Sequence, residues 1–82
     1  MKILPLHKEL VKYLNKHQLN KKFKKQSDLF IQNINHPSLN VEILEPRYLR
    51  IYSFRIDKKY RAIFFFHNTD LIEIIDINNH YR

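Results

Sequence analysis

Two aromatic-rich runs, residues 52–56 and 60–66, flank the polar Asp57, Lys58 and Lys59, a pattern that reads as a β-hairpin. The hairpin brings Arg55 and Arg61 near one another. A short terminal strand can then deliver His80 and Tyr81, followed by Arg82, to the same sheet. Arginine, histidine and tyrosine can each bind or protonate phosphate oxygens, so the set suits a phosphodiester ligand.

The rest of the chain sets this hairpin in context. Met1 to Leu4 is a possible short strand, and Pro5 suits the first turn of a helix, where its missing N–H costs nothing. Leu6, Leu10, Tyr13 and Leu14 recur at helical spacing and predict a first helix ending near His17. Asn20 is a candidate N-cap for a second helix carrying Phe23, Phe30, Ile31 and Ile34 toward one side, stopped by Asn35, His36 and Pro37. Short β-rich runs follow at 41–44, 48–56, 60–67 and 71–77, with polar separators too short for crossover connections. Helices precede strands instead of alternating with them, which predicts an α+β domain: a helical hairpin on a four-stranded antiparallel sheet, with the other sheet face open to a ligand. No repeat or linker divides residues 1–82, so one domain is expected.

With 82 residues, such a domain buries only somewhat more than about 60% of its unfolded surface. The chain has no cysteine and no metal-ligand spacing, so packing or a partner must hold it together. That composition fits a reducing cytoplasm, and no run approaches the roughly 18 apolar residues of a membrane span. Fifteen Lys and Arg stand against eight Asp and Glu, a formal charge of +7, which favours a polyanion or an acidic protein as partner. The absence of glycine removes phosphate-cradling Walker and dinucleotide-binding loops, both of which need backbone to approach phosphate closely.

Each candidate residue has a plain structural account beside its functional one. Lys21, Lys22, Lys24 and Lys25 surround Phe23 and form either a solvated helix face or an electrostatic docking surface. Arg50, Arg55 and Arg61 fall in predicted strands, where charges are paired or face an open sheet surface. Asp57, Glu73 and Asp76 could pair with them. Alternation places Arg61 on one side with Ile63 and Phe65, and Leu49, Ile51, Ser53 and Arg55 on one side of the preceding strand. Which side meets the helices depends on register, since a one-residue slip reverses it. Glu42 and Glu45 can form surface salt bridges to Arg47 and Arg50, or either can act as a base in the sheet cleft. His7, His17, His36 and His67 read as surface, helix-end or turn residues.

The progression HPSLNVEIL, YSFRI, KYRAIFFF, an apolar strand and a terminal HYR, from His36 to Arg82, resembles the RelE/ParE superfamily of type II toxins from toxin–antitoxin pairs. Its ending is most similar to the YoeB-like ribosome-dependent mRNA endonucleases. An ungapped alignment on YSFRI matches Glu42 to that family's glutamate, Arg61 to its phosphate-binding arginine, and His80 and Tyr81 to its terminal pair; Glu45 is an alternative to Glu42.

The resemblance implies a metal-independent endoribonuclease that needs no cofactor and uses Glu42 as base, Arg61 to stabilise phosphate charge, His80 as general acid and Tyr81 to orient a base. Arg50 and Arg55 would be secondary phosphate contacts, and the lysine-rich helix would dock on ribosomal RNA. Implied partners are a cognate antitoxin, the ribosome and mRNA. Two other classes share these features: a ParE-like, non-enzymatic inhibitor of DNA gyrase, and an inert nucleic-acid-binding module.

Overall fold

The computed structural model describes residues 1–79. Strand β1 (Lys2–Ile3) leads to helices α1 (Lys8–Lys16) and α2 (Asn20–Gln32), followed by strands β2 (Glu42–Ile43), β3 (Tyr52–Arg55), β4 (Arg61–Asn68) and β5 (Leu71–Asn78). The sheet order is β1-β5-β4-β3-β2. The expected α+β architecture is present, with five strands in place of four. The fifth is the N-terminal segment, which joins β5 in parallel through Lys2 N–H to Asp70 O and Leu4 N–H to Ile72 O. The remaining pairings are antiparallel.

The first helix begins later than Pro5 suggests, because His7 occupies the N-cap position and its carbonyl accepts from Leu10 and Val11. It ends in a Schellman motif. Gln18, at φ 54°, donates to Asn15 O, and Leu19 donates to Leu14 O, satisfying carbonyls that the helix end leaves unpaired. Leu14 and Leu19, both buried, supply the apolar contact that usually accompanies this geometry. Leu19 also becomes the N-cap of α2. Asn20, expected there, is instead the first helical residue and spends its side chain on Asn15.

Helix α2 buries Phe30 against the sheet, its ring 5.1 Å from those of both Phe54 and Phe64. These three are fully buried, and burial of each contributes roughly 1.5–3 kcal/mol. Their contact settles the register question: Tyr52, Phe54 and Ile56 of the β3 segment, with Ala62, Phe64 and Phe66 of β4, take the helix side. Arg55 pairs with Arg61, and Ser53 with Ile63, so these four share the helix-free face. In β5 the pairing steps from Ile63↔Asp76 to Phe64↔Ile74, a bulge that makes Ile75 the extra residue. Ile72, Ile74 and Ile77 thereby stay in the core while Ile75 remains 40% exposed.

The strand expected over 48–56 is shorter. Arg47–Leu49 forms a 3₁₀ turn after a cis Glu45–Pro46 peptide, and Arg50 follows in the left-handed region at φ 56°. Tyr48 on this turn is 80% exposed, unlike a covered strand residue. Among the described residues, no helix is long and apolar enough to cross a membrane.

Candidate functional site

Arg61 opens β4 on the helix-free face and is only 6% exposed. Its Nε donates to Ser53 Oγ at 2.9 Å, and Nη2 donates to Asn40 O and, at 3.4 Å, to Ser53 O. Asn40 reaches this carbonyl position in the left-handed conformation, at φ 45° and ψ 55°, immediately after the 3₁₀ turn Pro37–Leu39. The guanidinium is therefore aimed from the protein side by two segments. Nη1 has no hydrogen-bond partner among the described residues and is not sealed from solvent, which leaves it for a ligand.

Glu42 stands on the neighbouring edge strand, its Oε1 3.7 Å from Arg61 Nη2, with its side chain half exposed. The two residues meet because Glu42 pairs with Ser53, the residue that anchors Arg61. Arg55 lies directly opposite Arg61 in the β3–β4 ladder. Burial lowers the Arg61 pKa, Glu42 acts against that, and the Arg55 charge lowers it further. Like charges facing one another across a ladder destabilise it, and an anion held between the two guanidiniums would relieve the repulsion. A carboxylate beside two cations, one of them preset by buried hydrogen bonds, can take a proton from a group whose neighbouring phosphate the arginines hold.

An apolar trough of about 640 Å³ is lined by Leu49, Ile51, Phe65 and Ile75 together with Arg50. The left-handed turn at Arg50, not a strand, carries this arginine to the trough. Glu45 lines an adjoining hollow with Pro46, Ile63 and Asp76, so the base alternatives Glu42 and Glu45 sit at separate places and only Glu42 meets Arg61. Ser53, Asn40 and the bulge residue Ile75 were not singled out from sequence; alternation already placed Ile63 and Phe65 beside Arg61.

The four helix lysines divide. Lys22 pairs with Asp57 at 3.2 Å and Lys24 with Asp28 at 3.1 Å, while Lys25, with Lys22, faces a cleft beside Arg55. Lys21 and Lys24 line none of the described cavities that Arg55 or Arg61 borders. His80 and Tyr81 lie outside the described residues. His7 and His67 each donate to Glu73, at 2.7 and 2.8 Å, and His17 hydrogen-bonds Tyr60, so these histidines have structural partners. Among the described residues no group of three or more His, Asp or Glu is placed to hold a metal ion.

A YoeB/ParE toxin from Agrobacterium tumefaciens superposes with a TM-score of 0.72 over 99% of this chain and 100% of that one, at 15% identity. This chain has the YoeB/ParE toxin fold. A YoeB–YefM toxin–antitoxin complex from Staphylococcus aureus also matches, with a TM-score of 0.68 over 98% of this chain and 94% of the other, at 22% identity. That complex is heterotetrameric. No protein-family model and no curated protein matches the sequence. The YoeB/ParE likeness therefore rests on three-dimensional form.

Proposed function

We propose that this chain is the toxin of a type II toxin–antitoxin pair and acts as a ribosome-dependent mRNA endonuclease. The observation that carries the reading is the approach of Glu42 Oε1 to Arg61 Nη2 at 3.7 Å on the helix-free face. Glu42 removes the proton from an RNA 2′-hydroxyl, whose oxygen attacks the adjacent phosphorus in line. Arg61, through Nη1, and Arg55 balance the charge that builds on the phosphate oxygens. The bond to the 5′-oxygen breaks, and that oxygen takes a proton from His80. The products are a 2′,3′-cyclic phosphate and a free 5′-hydroxyl. Tyr81 orients a splayed base, a role open to any aromatic face. The assignments of His80 and Tyr81 rest on sequence resemblance.

An antitoxin is the expected binding partner, since a bound acidic segment would neutralise a +7 chain and stabilise its fold. The cytoplasm, with its ribosomes, is the expected site of action.

The test is to add the purified chain to ribosomes programmed with a defined mRNA and to map new 5′ ends, with Glu42→Gln as the control. Cuts at the decoding site that depend on Glu42 support the assignment. Their absence from a folded protein moves the reading to gyrase inhibition or an inert binding module. Supercoiling of plasmid DNA by gyrase in the presence of the chain then tests gyrase inhibition directly.

A further inference from the structure

The tip of the β3–β4 hairpin meets α2 along a cleft of about 350 Å³ bordered by Lys22, Lys25, Arg55 and Lys58. Among the described residues its single carboxylate, Asp57, is already committed. Oδ1 accepts from the backbone N–H of Lys59 and of Tyr60, and Oδ2 accepts from Lys22. Among the described residues Lys25, Arg55 and Lys58 form no ion pair, so three cations border the cleft with no local counter-charge.

The cleft is also built rigidly. Gln26, 6% exposed, donates through Nε2 to Ser38 O at 3.1 Å and to Arg55 O at 2.8 Å. One buried amide thus ties α2, the 3₁₀ turn and the end of β3 into a fixed floor, holding Arg55 at the junction between the cleft and the Arg61 face.

We infer that this cleft binds the phosphodiester backbone of an RNA strand as it leaves the Glu42–Arg61 centre past Arg55. The inference rests on the RNA-cleavage reading for the direction of the strand. Arg55 is shared by both places: it lies opposite Arg61 in the ladder and borders the cleft. A phosphate at Arg61 therefore has a continuous cationic path over Arg55 to Lys25 and Lys58. An acidic peptide fits less well, because amphipathic segments are anchored by apolar side chains in pockets. Among the described residues the only apolar one bordering the cleft, Ile56, is 3% exposed and offers no such pocket.

The test is the fluorescence anisotropy of a labelled, fully 2′-O-methylated RNA oligonucleotide, which cannot be cleaved, titrated with the full chain over a range of salt. Lys25→Ala/Lys58→Ala is compared with Lys8→Ala/Lys12→Ala, which removes the same charge from α1. Each phosphate contact on a single strand contributes about 0.7 to the slope of log affinity against log salt. The cleft variant should lose roughly tenfold in affinity and flatten the slope by about 1.4, with a smaller change for the α1 variant. Equal losses in the two variants, or an unchanged cleft variant, overturn the inference. So does polyglutamate binding that depends on Lys25 and Lys58 while RNA binding does not. Because the probe cannot react, failure to cleave mRNA on ribosomes would count against the endonuclease reading and leave cleft binding to stand or fall on its own data.

Discussion

Arg61 Nε and Ser53 Oγ are joined by a 2.9 Å hydrogen bond between two buried side chains on a sheet face that carries no helix. Removing one partner of a buried polar pair leaves the other unsatisfied, and lysine cannot reproduce the guanidinium fork. Arg61→Lys should therefore destabilise the fold by about 1–3 kcal/mol. Denaturant titration checks this, with the midpoint falling at unchanged slope. A midpoint within error of wild type would mean that these bonds are not structural, and that activity losses in Arg61 variants report on function alone.

Glu42 offers a cleaner separation. It is exposed on a two-residue edge strand, so Glu42→Gln should change stability by less than about 0.5 kcal/mol. The loss of a general base should lower ribosome-dependent cleavage by about 10² or more. Cleavage rates and a thermal melt on the same preparation decide it. A fully active, fully folded variant would remove Glu42 as the base and turn attention to Glu45.

Gln26 is expected to matter more than its place in a lysine-rich helix suggests. Leucine in its place fills a similar volume and leaves the carbonyls of Ser38 and Arg55 without their donor. The expected cost for Gln26→Leu is about 1–3 kcal/mol, read from chemical denaturation. An equally stable variant would show that water replaces the amide without penalty.

Acid should weaken the attachment of the N-terminal segment to the β4–β5 hairpin. Hydrogen bonds from His67 and then His7 hold the Glu73 carboxyl below its ordinary value of 4.5, against a smaller opposing effect of burial. A carboxylate depressed in the folded state contributes stability above its unfolded pKa and loses that contribution as pH falls through the folded value. The melting temperature should therefore drop on acidification below pH 4.5, the ordinary value. Glu73→Gln should drop less steeply over the same interval, and parallel curves for the two proteins would dismiss the linkage. At Asp57, burial favours the neutral acid, but the N–H groups of Tyr60 and Lys59 and the Lys22 ammonium outweigh it, so it contributes with the same sign.

Much of this architecture was legible because periodicity reports burial. Leu10 and Leu14, or Phe54 and Phe64, mark the faces that enter the core. Alternation likewise grouped Arg61 with Ile63 and Phe65, but only the meeting of Phe30 with Phe54 and Phe64 says which face that group occupies. The segment around Tyr48 misled for a physical reason. Aromatic and aliphatic residues favour strands when a neighbour covers them, and here Tyr48 and Leu49 are exposed on a 3₁₀ turn. Gln26 was invisible because its acceptors lie 12 and 29 residues away, beyond any local pattern. The pairing of Glu42 with Arg61 was legible through family resemblance alone; their distance follows from the β2–β3 register.

The left-handed turns at Gln18, Asn40 and Arg50 have a counterpart in the unfolded chain. Most proteins assign such positions to glycine, which relieves a strain of about 1–2 kcal/mol but widens the disordered ensemble that folding must collapse. This chain has no glycine at all, and every backbone reversal is made by a residue with a Cβ. It accepts local strain in the native state in exchange for a stiffer denatured one, so part of its stability resides in conformations that its unfolded form never visits.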